Sequence, residues 1–347
     1  MSPFKPKFEY TRRIVRNLTE ISEARGVVLS ARLVPKWEVA LRRDALLRTA
    51  HHSTAIEGNP LSLKDVTALA EGRRVMATRK AQREVLNYIE ALDRVPEFAG
   101  KKKLARKDLL AIHGIVSKDT LDDPEDEGRF RRRQVVVGNR VTGEITFTPP
   151  PTERVPELVD EFLVWFDSEE AREIDPVVLA GVTHYWLVWI HPFADGNGRT
   201  ARVMATLALY RRGFDVKRFF ALDDYYDQDR RSYYAALRNV DQETLNLTGW
   251  LEYFTDGVSV SIKAVRDRVI GISRDIKVLK QRGQIALTDR QMKIVEHMVE
   301  KGRTTNREVR EMFGLSNRAA LDEIEKLIGL GVVKVTGKGR NVQYVLA

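Results

Sequence analysis

Apolar residues recur at helical spacing along most of this chain. They occupy related faces of one helix between residues 41 and 54, and the stretch from Pro176 to Ile190 is apolar apart from Thr183 and His184. This stretch is too short and too polar for a membrane span, so it predicts a buried central helix. Residues 250–282 predict a connecting or dimerising helix. Together these patterns predict a mainly α-helical protein.

A short hairpin interrupts the helical pattern. Residues 134–138 and 144–148 predict two strands, joined by a turn from Asn139 to Gly143 and followed by Pro149–Pro151. Because no further strand is predicted beside them, their edge N–H and C=O groups are open to pairing with an extended peptide. An ordinary surface hairpin is the alternative interpretation.

The C-terminal segment, residues 284–347, predicts a domain of its own. Two capping boxes and a single N-cap begin three helices, and glycines end the first two. The capping and ending residues are Thr288, Gln291, Gly302, Thr305, Glu308, Gly314 and Ser316. Two strands, 332–335 and 342–346, follow. Three helices and a hairpin predict a winged helix-turn-helix domain.

The sequence leaves the role of this domain open. Polar and basic residues stand at the front of its third helix and on its hairpin, and acidic residues follow on the same helix. The first set is Asn317, Arg318, Lys334, Lys338 and Arg340, and the second is Asp322, Glu323 and Glu325. The domain has eleven Lys and Arg against eight acids, a small positive excess. DNA binding and protein docking or dimerisation are therefore both kept as interpretations.

Composition limits the kind of protein. The 347 residues are 43% hydrophobic, carry a net charge of +9 and include no cysteine. This excludes an intrinsically disordered chain and a disulfide framework. No signal pattern opens the chain, so a cytoplasmic protein without a membrane span is expected. Basic runs such as Lys101–Lys103 and Arg131–Arg133 are interpreted as solvated faces, although nucleic acid, acidic proteins or ATP would also attract them.

The run from His191 to Arg202, HPFADGNGRTAR, combines the groups that a nucleotide site needs. Its Gly-Asn-Gly segment precedes a new helical pattern, where backbone N–H groups can turn toward an anion. Glycine, and among other residues asparagine, tolerates the positive φ that such a loop requires. Arg199 and Arg202 stand one helical turn apart, so their guanidinium groups suit two successive phosphates.

Two further residues of the run carry chemistry. Asp195 offers a hard oxygen ligand, which suits Mg²⁺ carried on nucleotide phosphates better than a zinc site. His191 is the nearby group whose ordinary pKa suits proton abstraction near neutral pH. Phe193 is apolar between polar neighbours and is expected to anchor the loop in the core.

The run matches the signature HPFx(D/E)GNGRxxR at every specified position, and the chain therefore resembles the Fic family. The resemblance implies a helical Fic-type fold and transfer of AMP from ATP to a protein hydroxyl. It implies that His191 deprotonates the hydroxyl, that Asp195 holds Mg²⁺ and that Arg202 reaches the γ phosphate. The residues that it assigns to the α and β phosphates are Gly196, Asn197, Gly198 and Arg199.

A second motif, from Ser53 to Gly58, follows the first helical pattern. From the residues alone, Glu57 is interpreted as a surface carboxylate near a helix end, and Gly58 as the helix stop. The segment also resembles the inhibitory motif (S/T)xxxE(G/N) of the same family, whose glutamate pairs with the second arginine of the signature. This implies a Glu57–Arg202 ion pair that occupies the γ-phosphate cation and misplaces the α phosphate for attack.

Two other segments resemble parts of this family. The hairpin resembles a flap that holds the target segment by strand addition and lies against the nucleotide. The segment from Tyr233 to Asp241 resembles the adenine side of the site, although both tyrosines could instead belong to the core. The residues expected at ATP from these two segments are Val137, Gly138, Tyr233, Tyr234, Asn239 and Asp241.

Four segments are predicted. They are an N-terminal helical region at 1–100 with an inhibitory helix at about 36–58, a catalytic core at 101–255 with a flap at 134–149, a helical linker at 256–283, and the winged helix at 284–347. The expected function is a self-inhibited adenylyltransferase that acts with MgATP on a Ser, Thr or Tyr hydroxyl of a target protein or of itself. The alternatives are AMP removal or transfer of another phosphate-containing group at the same site, and a DNA-binding regulator that senses nucleotide. A homodimer is left open.

Overall fold

The computed structural model is mainly helical, as the apolar pattern predicts. It describes residues 4–31, 33, 35–138, 143, 145–214, 216, 219–281, 287–337, 339 and 342–346. The chain divides into two compact units, residues 1–25 with 45–264 and residues 26–44 with 265–347. Among the described residues, no helix is both long enough and apolar enough to cross a membrane.

Helices and one hairpin form the part of the chain up to residue 281. The helices are α1 (Arg12–Ser30), α2 (Pro35–Ile56), α3 (Leu63–Ala70), α4 (Arg79–Ala99), α5 (Arg106–Ser117), α6 (Val155–Phe166), α7 (Glu169–Glu173), α8 (Pro176–Ile190), α9 (Asn197–Arg211), α10 (Asp223–Gln228), α11 (Arg230–Arg238) and α12 (Thr248–Gln281). The strands are β1 (Val137–Gly138) and β2 (Ile145–Phe147). Helices α1, α2 and α12 contribute residues to both units.

The core of the first unit is built around α8. This helix has the predicted bounds; Asp175 caps its start by accepting a hydrogen bond from the Val177 N–H at 2.8 Å, and Pro176 stands at its first position. Helix α9 packs along α8 and against α4 and α5. A Cβ on Gly181 would lie 2.7 Å from a Leu251 side-chain carbon, so glycine is needed where α12 crosses α8. The central helix is thereby fixed on several sides.

The hairpin is shorter than predicted. Strands β1 and β2 pair antiparallel, with Val137 opposite Phe147, and the register shifts between Val137 and Gly138. Such a bulge ends regular pairing early. The predicted turn residues 139–142, and Glu144, lie outside the described residues.

The C-terminal segment has the predicted order of elements. Its elements are α13 (Asp289–Lys301), α14 (Asn306–Phe313), α15 (Asn317–Gly329), β3 (Val333–Thr336) and β4 (Gln343–Leu346). Both capping boxes are formed, and Gly302 and Gly314 adopt the positive φ of helix ends. Ile294, Val309 and Ile324 belong to one buried cluster that joins the three helices to the hairpin. The segment therefore has a core of its own.

The predicted boundary between the catalytic core and the linker, at residue 255, falls inside a helix. Helix α12 continues unbroken through it. Asn317, Arg318 and Lys334 are exposed. The predicted wing residues Lys338 and Arg340, the turn residue Asn341 and residues 282–286 at the end of the predicted linker lie outside the described residues.

Candidate active site

His191 stands at the C-terminal end of α8, where the chain leaves the core. It adopts the left-handed conformation (φ 51°, ψ 58°), and its N–H donates to the Leu187 carbonyl at 3.0 Å. A left-handed non-glycine residue is uncommon and is kept where the surrounding structure demands it. The Nδ1 of His191 lies 3.2 Å from the Val188 carbonyl, to which it donates as N–H. The proton therefore sits on Nδ1, and Nε2 keeps its lone pair.

The loop after His191 is fastened by Asn197. Its side-chain oxygen accepts the Phe193 N–H and its amide donates to the Phe193 carbonyl, both at 2.9 Å. The positive φ of the loop is carried by Gly196 (φ 76°), whereas Asn197 begins α9. The expectation that Asn197 serves as a residue of positive φ is wrong, because its side chain is needed to close the loop from the first turn of the helix.

Phe193 and His113 pack face to face beneath the loop. Phe193 is fully buried, as expected, and its ring lies 3.7 Å from that of His113 with an interplanar angle of 1°. The Gly128 N–H donates to His113 Nδ1 at 3.1 Å, so Nε2 carries the hydrogen and donates to the Asp195 carbonyl at 3.0 Å. Burial lowers the pKa of His113 to about 4, which keeps this neutral tautomer. His113 thus fixes the backbone that presents Asp195.

Arg131 joins the loop to the base of the hairpin. Its Nε donates to the His191 carbonyl at 2.9 Å, and its backbone N–H donates to the Pro192 carbonyl at 2.9 Å. Its terminal nitrogens donate to the Thr152 hydroxyl at 2.5 Å and to the Pro150 carbonyl. Arg131 is only 3% exposed, so the interpretation of residues 131–133 as a solvated face is wrong at this position. Arg132 and Arg133 are exposed.

A cavity of about 720 Å³ opens over the start of α9. His191, Asp195 and Gly198 lie on one side of it, and the hairpin lies on another. The hairpin residues that line it are Val135, Val136, Val137, Gly138, Thr146 and Phe147. Free N–H groups and the positive end of the helix dipole at this point favour an anion.

Arg202 lies at the bottom of this cavity with three oxygen-bearing partners. Its Nε donates to the Ser53 hydroxyl at 2.7 Å and lies 3.1 Å from Asp223 Oδ1, and its Nη2 lies 2.7 Å from Glu57 Oε1. Burial alone would lower the pKa of Arg202, but Glu57 and other neighbours outweigh it and raise the pKa well above its ordinary value. The expected Glu57–Arg202 ion pair is therefore present, and the guanidinium is charged.

Glu57 follows the last residue of α2, and Gly58 ends that helix with a φ of 93°, as expected. Its carboxylate lies over Gly198 so closely that a Cβ on Gly198 would overlap Oε1. The Glu57 side chain is 32% exposed, whereas that of Arg202 is 2% exposed. The carboxylate therefore lies between the buried cation and the cavity, at the start of α9.

Arg199 and Asp195 form the other polar side of the loop. Arg199 is 2% exposed, and its Nη1 lies 3.5 Å from Glu84 Oε1. Its Nε and Nη1 have no hydrogen-bond partner among the described residues. Asp195 is half-buried; its Oδ1 accepts the Gly196 N–H at 2.6 Å and lies 3.8 Å from Arg199. Buried donors without acceptors are costly, so Arg199 is suited to an anionic ligand.

The segment from Tyr233 to Asp241 only partly faces the cavity. Tyr233 and Tyr234 line it; Tyr233 is buried with its hydroxyl 2.9 Å from His184 Nε2, and Tyr234 is 40% exposed. Asn239 and Asp241 do not line the cavity, which corrects the expectation for them. Asn239 caps the end of α11, and Asp241 binds backbone and side-chain groups of Thr244 in a turn. Local capping holds both residues outside the cavity.

Three residues of the site were missed by sequence reasoning. His113 stands on the apolar face of α5 with Leu109 and Val116, and a histidine on such a face was a signal that could have found it. Arg131 lies within a basic run and Asp223 within an acidic one, so neither had a distinguishing signal. Their partners are separated from them in sequence, and only the packed fold brings them together.

Comparisons with known proteins agree with this geometry. The Fic/DOC family model matches residues 103–209. Protein adenylyltransferase fic-1 of Caenorhabditis elegans is 34% identical over 181 residues, which are 50% of this chain and 34% of the relative. Protein adenylyltransferase Fic of Nematostella vectensis is 32% identical over 219 residues, which are 60% of this chain and 48% of the relative. The chain thus spans about a third to a half of the length of these curated relatives.

Solved structures show the same fold. A crystal structure of a Fic family protein from Desulfovibrio desulfuricans G20 matches with a TM-score of 0.67 and 24% identity, over 99% of this chain and 98% of that one. Fic-1 from C. elegans matches with a TM-score of 0.61 and 27% identity, over 76% of this chain and 73% of that one. The mainly helical, Fic-type part of the predicted fold class is confirmed.

Proposed function

We propose that this chain is a protein adenylyltransferase whose own Glu57 restrains it, because the Fic/DOC family model matches residues 103–209. The proposed reaction is attack of a Ser, Thr or Tyr hydroxyl oxygen on the α phosphorus of ATP, with pyrophosphate as leaving group. One observation carries the proposal. The cavity over α9 holds His191, the helix start and a buried arginine, Arg202, which Glu57 pairs with at 2.7 Å.

His191 is the proposed base. Burial lowers its pKa, against opposing effects of the Val188 hydrogen bond and Glu57, so the imidazole is neutral near pH 7. Nδ1–H donates to Val188, which leaves the Nε2 lone pair to accept the hydroxyl proton. Arg131 holds the His191 carbonyl, and the left-handed backbone turns the residue out of α8. The proton therefore passes from the hydroxyl to Nε2 as the oxygen attacks.

The start of α9 is the proposed phosphate cradle. Its first N–H groups and helix dipole stabilise charge on the α and β phosphates. Arg199, two of whose buried nitrogens make no hydrogen bond among the described residues, is placed to donate to the same phosphates. Arg202 is the proposed partner of the γ phosphate once Glu57 leaves it. Both roles use guanidinium groups, whose planar forks match the geometry of phosphate oxygens.

Asp195 is the proposed protein ligand of Mg²⁺. Its carboxylate is half-buried, lines the cavity, and uses Oδ1 for a hydrogen bond to Gly196. It belongs to no group of three potential metal-ligating side chains in the described part of the chain. This fits an ion held largely by phosphate oxygens, as is usual for nucleotide-bound Mg²⁺. When bound, Mg²⁺ neutralises charge on the phosphates of the leaving group.

The hairpin is the proposed docking element for the target. It has two strands, so each has an outer edge with unpaired backbone groups among its described residues, and Val136 and Ile145 are exposed on it. An extended peptide that pairs with one edge would bring its hydroxyl over the cavity. Val137 and Gly138 line the cavity and are the proposed nucleotide contacts of this element.

The test is intact-mass analysis after incubation with MgATP. We expect a mass increase of one AMP on the Glu57→Gly variant, little on the wild-type chain and none on the Glu57→Gly/His191→Ala variant. No adduct on the single variant, with ATP still bound, would overturn the transferase proposal. An adduct of equal yield on the wild-type chain would overturn the restraint by Glu57.

For the C-terminal segment we keep DNA binding as a separate proposal. Asn317 and Arg318 are exposed on α15, and Lys334 is exposed on strand β3. These positions are suited to base and phosphate contacts. The test is a gel shift of duplex DNA by the whole chain and by its Arg318→Ala variant. A shift that weakens with salt and with the variant supports DNA binding, and no shift at low salt overturns it.

A further inference from the structure

Two histidines and an aspartate meet beside the site without a part in the proposed reaction. His51 and His52 are neighbours on α2, and Asp227 lies on α10. Each offers one ligand atom, and these atoms lie within 4.8 Å of one another. No other group of three His, Cys, Asp or Glu side chains in the described ranges is so arranged. We propose that His51, His52 and Asp227 bind a divalent transition-metal ion, for which Zn²⁺ is the probe.

His51 supplies a nitrogen that the protein leaves unused. Its Nδ1 is buried and has no hydrogen-bond partner among the described residues. The ring also has a hydrogen bond with the Leu61 backbone. Nδ1 is the nitrogen left without a partner, so its lone pair is available to a cation. A buried imidazole nitrogen without a partner costs stability, and a metal ion would remove that cost.

His52 is already held as a metal-ligating histidine is held. Its Nε2 lies 2.9 Å from Asp224 Oδ1, and Arg48 pairs with the other oxygen of Asp224. A carboxylate on the far nitrogen fixes the ring and makes the near nitrogen more basic. The near nitrogen, Nδ1, lies 2.7 Å from Asp227 Oδ2. On binding, the metal takes the place of the Nδ1 proton, which passes to solvent.

Asp227 completes the set. Its Oδ2 faces His52, while Oδ1 accepts a hydrogen bond from Arg230 Nε at 2.6 Å. Arg48 and Arg230 neutralise the negative charges of Asp224 and Asp227, respectively. The site therefore offers imidazole nitrogens rather than an excess of negative charge. Such a donor set selects Zn²⁺ and similar ions over Mg²⁺ and Ca²⁺, which prefer oxygen. The His52 and Asp227 side chains are 17% and 11% exposed, which leaves an ion a path to enter.

A metal ion bound to this cluster would also affect AMP transfer, an inference that rests on the proposed function. Helix α2 carries Ser53 directly after His52, and Ser53 accepts a hydrogen bond from Arg202. Helix α10 carries Asp223, which also pairs with Arg202. A metal bound to both helices would fix the two residues that contact Nε of that guanidinium. It would therefore hold Glu57 in place and oppose AMP transfer.

Binding is tested on the whole chain after removal of metals with a chelator. Isothermal titration with Zn²⁺ should show one site and the release of about one proton per ion bound. The number of protons released is measured by repeating the titration in buffers of different ionisation enthalpy. His51→Gln should weaken that site at least about 100-fold, and Asp224→Asn by about 10- to 100-fold. The matched control His297→Gln, in the C-terminal segment, should bind as the wild type does. Excess Mg²⁺ should not compete.

His51→Gln removes Nδ1, which has no hydrogen-bond partner among the described residues, and keeps a side-chain amide that can bond to the Leu61 backbone in place of the ring. Equal affinity and stoichiometry in the wild type and in His51→Gln would overturn the proposal. Circular dichroism melting of each variant shows whether it is folded. The visible absorption of bound Co²⁺ gives a second measurement, since its intensity reports coordination number. An intense spectrum lost in His51→Gln supports the site, and the weak spectrum of aqueous Co²⁺ overturns it.

Hydrogen exchange tests whether the metal fixes α2 against α10. One equivalent of Zn²⁺ should slow amide exchange in residues 45–57 of the wild type but not of His51→Gln, and unchanged exchange would overturn the bridging of α2 to α10. The same amount of Zn²⁺ should lower AMP transfer by the wild type and leave transfer by Glu57→Gly unchanged. If no variant transfers AMP while Zn²⁺ still binds at His51, the proposed function fails and the metal site stands.

Discussion

Glu57 lies directly over Gly198, with its carboxylate in the space that a side chain at residue 198 would fill. The same carboxylate binds Arg202 Nη2 at 2.7 Å. A single anionic group therefore occupies both the start of α9 and the buried guanidinium. Both are places where a helix N-terminus and a cation favour an anion, so Glu57 and a nucleotide phosphate compete for them.

The first prediction concerns nucleotide affinity. Glu57→Gly should bind MgATP about 10- to 100-fold more tightly than the wild type, as measured by isothermal titration. A hydrogen bond to a charged group contributes about 1.5–3 kcal/mol, which ATP no longer has to displace. Glu71→Gly is the matched control, because Glu71 also follows the last residue of a helix and is exposed. Equal affinities of Glu57→Gly and the wild type would contradict the competition.

The second prediction concerns Ser53. Its buried hydroxyl accepts the Arg202 Nε–H, while Asp223 stays close to the same nitrogen. Ser53→Ala should therefore loosen Arg202 only in part and give a rate of self-modification between those of the wild type and Glu57→Gly. Ser259→Ala is the control, since Ser259 is also buried but pairs with Glu20. A Ser53→Ala rate equal to that of the wild type would show that Ser53 does not help to hold Arg202.

The third prediction concerns the pH dependence of transfer by Glu57→Gly. Burial lowers the pKa of His191 below its ordinary value, so the base is neutral at pH 7 and becomes protonated only in more acidic solution. The rate should be constant above about pH 7 and should fall as the pH drops below the ordinary histidine pKa of about 6.5. The initial rate of AMP incorporation across this range is the measurement. A rate that still rises between pH 7 and 8 would argue against His191 as the base.

The fourth prediction concerns His113 and stability. Its pKa is about 4 in the folded chain and about 6.5 when unfolded, so the unfolded chain binds the extra proton between these values. The contribution of neutral, buried His113 to the free energy of unfolding is fully present above about pH 6.5 and is lost as the pH falls toward 4. From pH 7 to pH 5, unfolding free energy should fall by about 2 kcal/mol more in the wild type than in His113→Gln.

The measurement for His113 is urea unfolding followed by tryptophan fluorescence. Four of the five tryptophans lie in the first unit, so the signal reports mainly on the part that contains His113. His297→Gln provides a control for the loss of a histidine elsewhere. Parallel pH curves for the wild type and His113→Gln would mean that the pKa of His113 is the same in the folded and unfolded chains, which would contradict the effect of burial.

The fifth prediction concerns Arg131. A lysine at this position cannot donate at once to the His191 carbonyl, Thr152 and Pro150, because it lacks the planar fork. Arg131→Lys should lower stability by about 1–3 kcal/mol and lower kcat more than it raises the KM for ATP. Arg133→Lys, at an exposed neighbour, is the matched control for both thermal melting and kinetics. Loss of neither stability nor kcat in Arg131→Lys would contradict the positioning role.

Local sequence was enough wherever a feature depends on near neighbours. The bounds of α8, the capping boxes of α13 and α14, and the helix end at Gly58 follow from residues within one or two turns of each other. The hairpin was predicted less well, since its pairing depends on a bulge as well as on alternation. Asn239 and Asp241 were misplaced because the segment match gave their order and not the direction of their side chains.

The roles proposed for the run from His191 to Arg202 and for the motif from Ser53 to Glu57, and the mainly helical fold, could all be predicted from the amino-acid sequence. They depend on spacing along the chain, which fixes how residues are presented on one helix or loop. The groups that hold the run in place could not be predicted in this way, because they come from distant parts of the chain. His113 reaches Asp195 across 82 residues and Arg131 reaches His191 across 60, and such partners are chosen by packing, because periodicity carries no information about which distant side chain will meet a given atom.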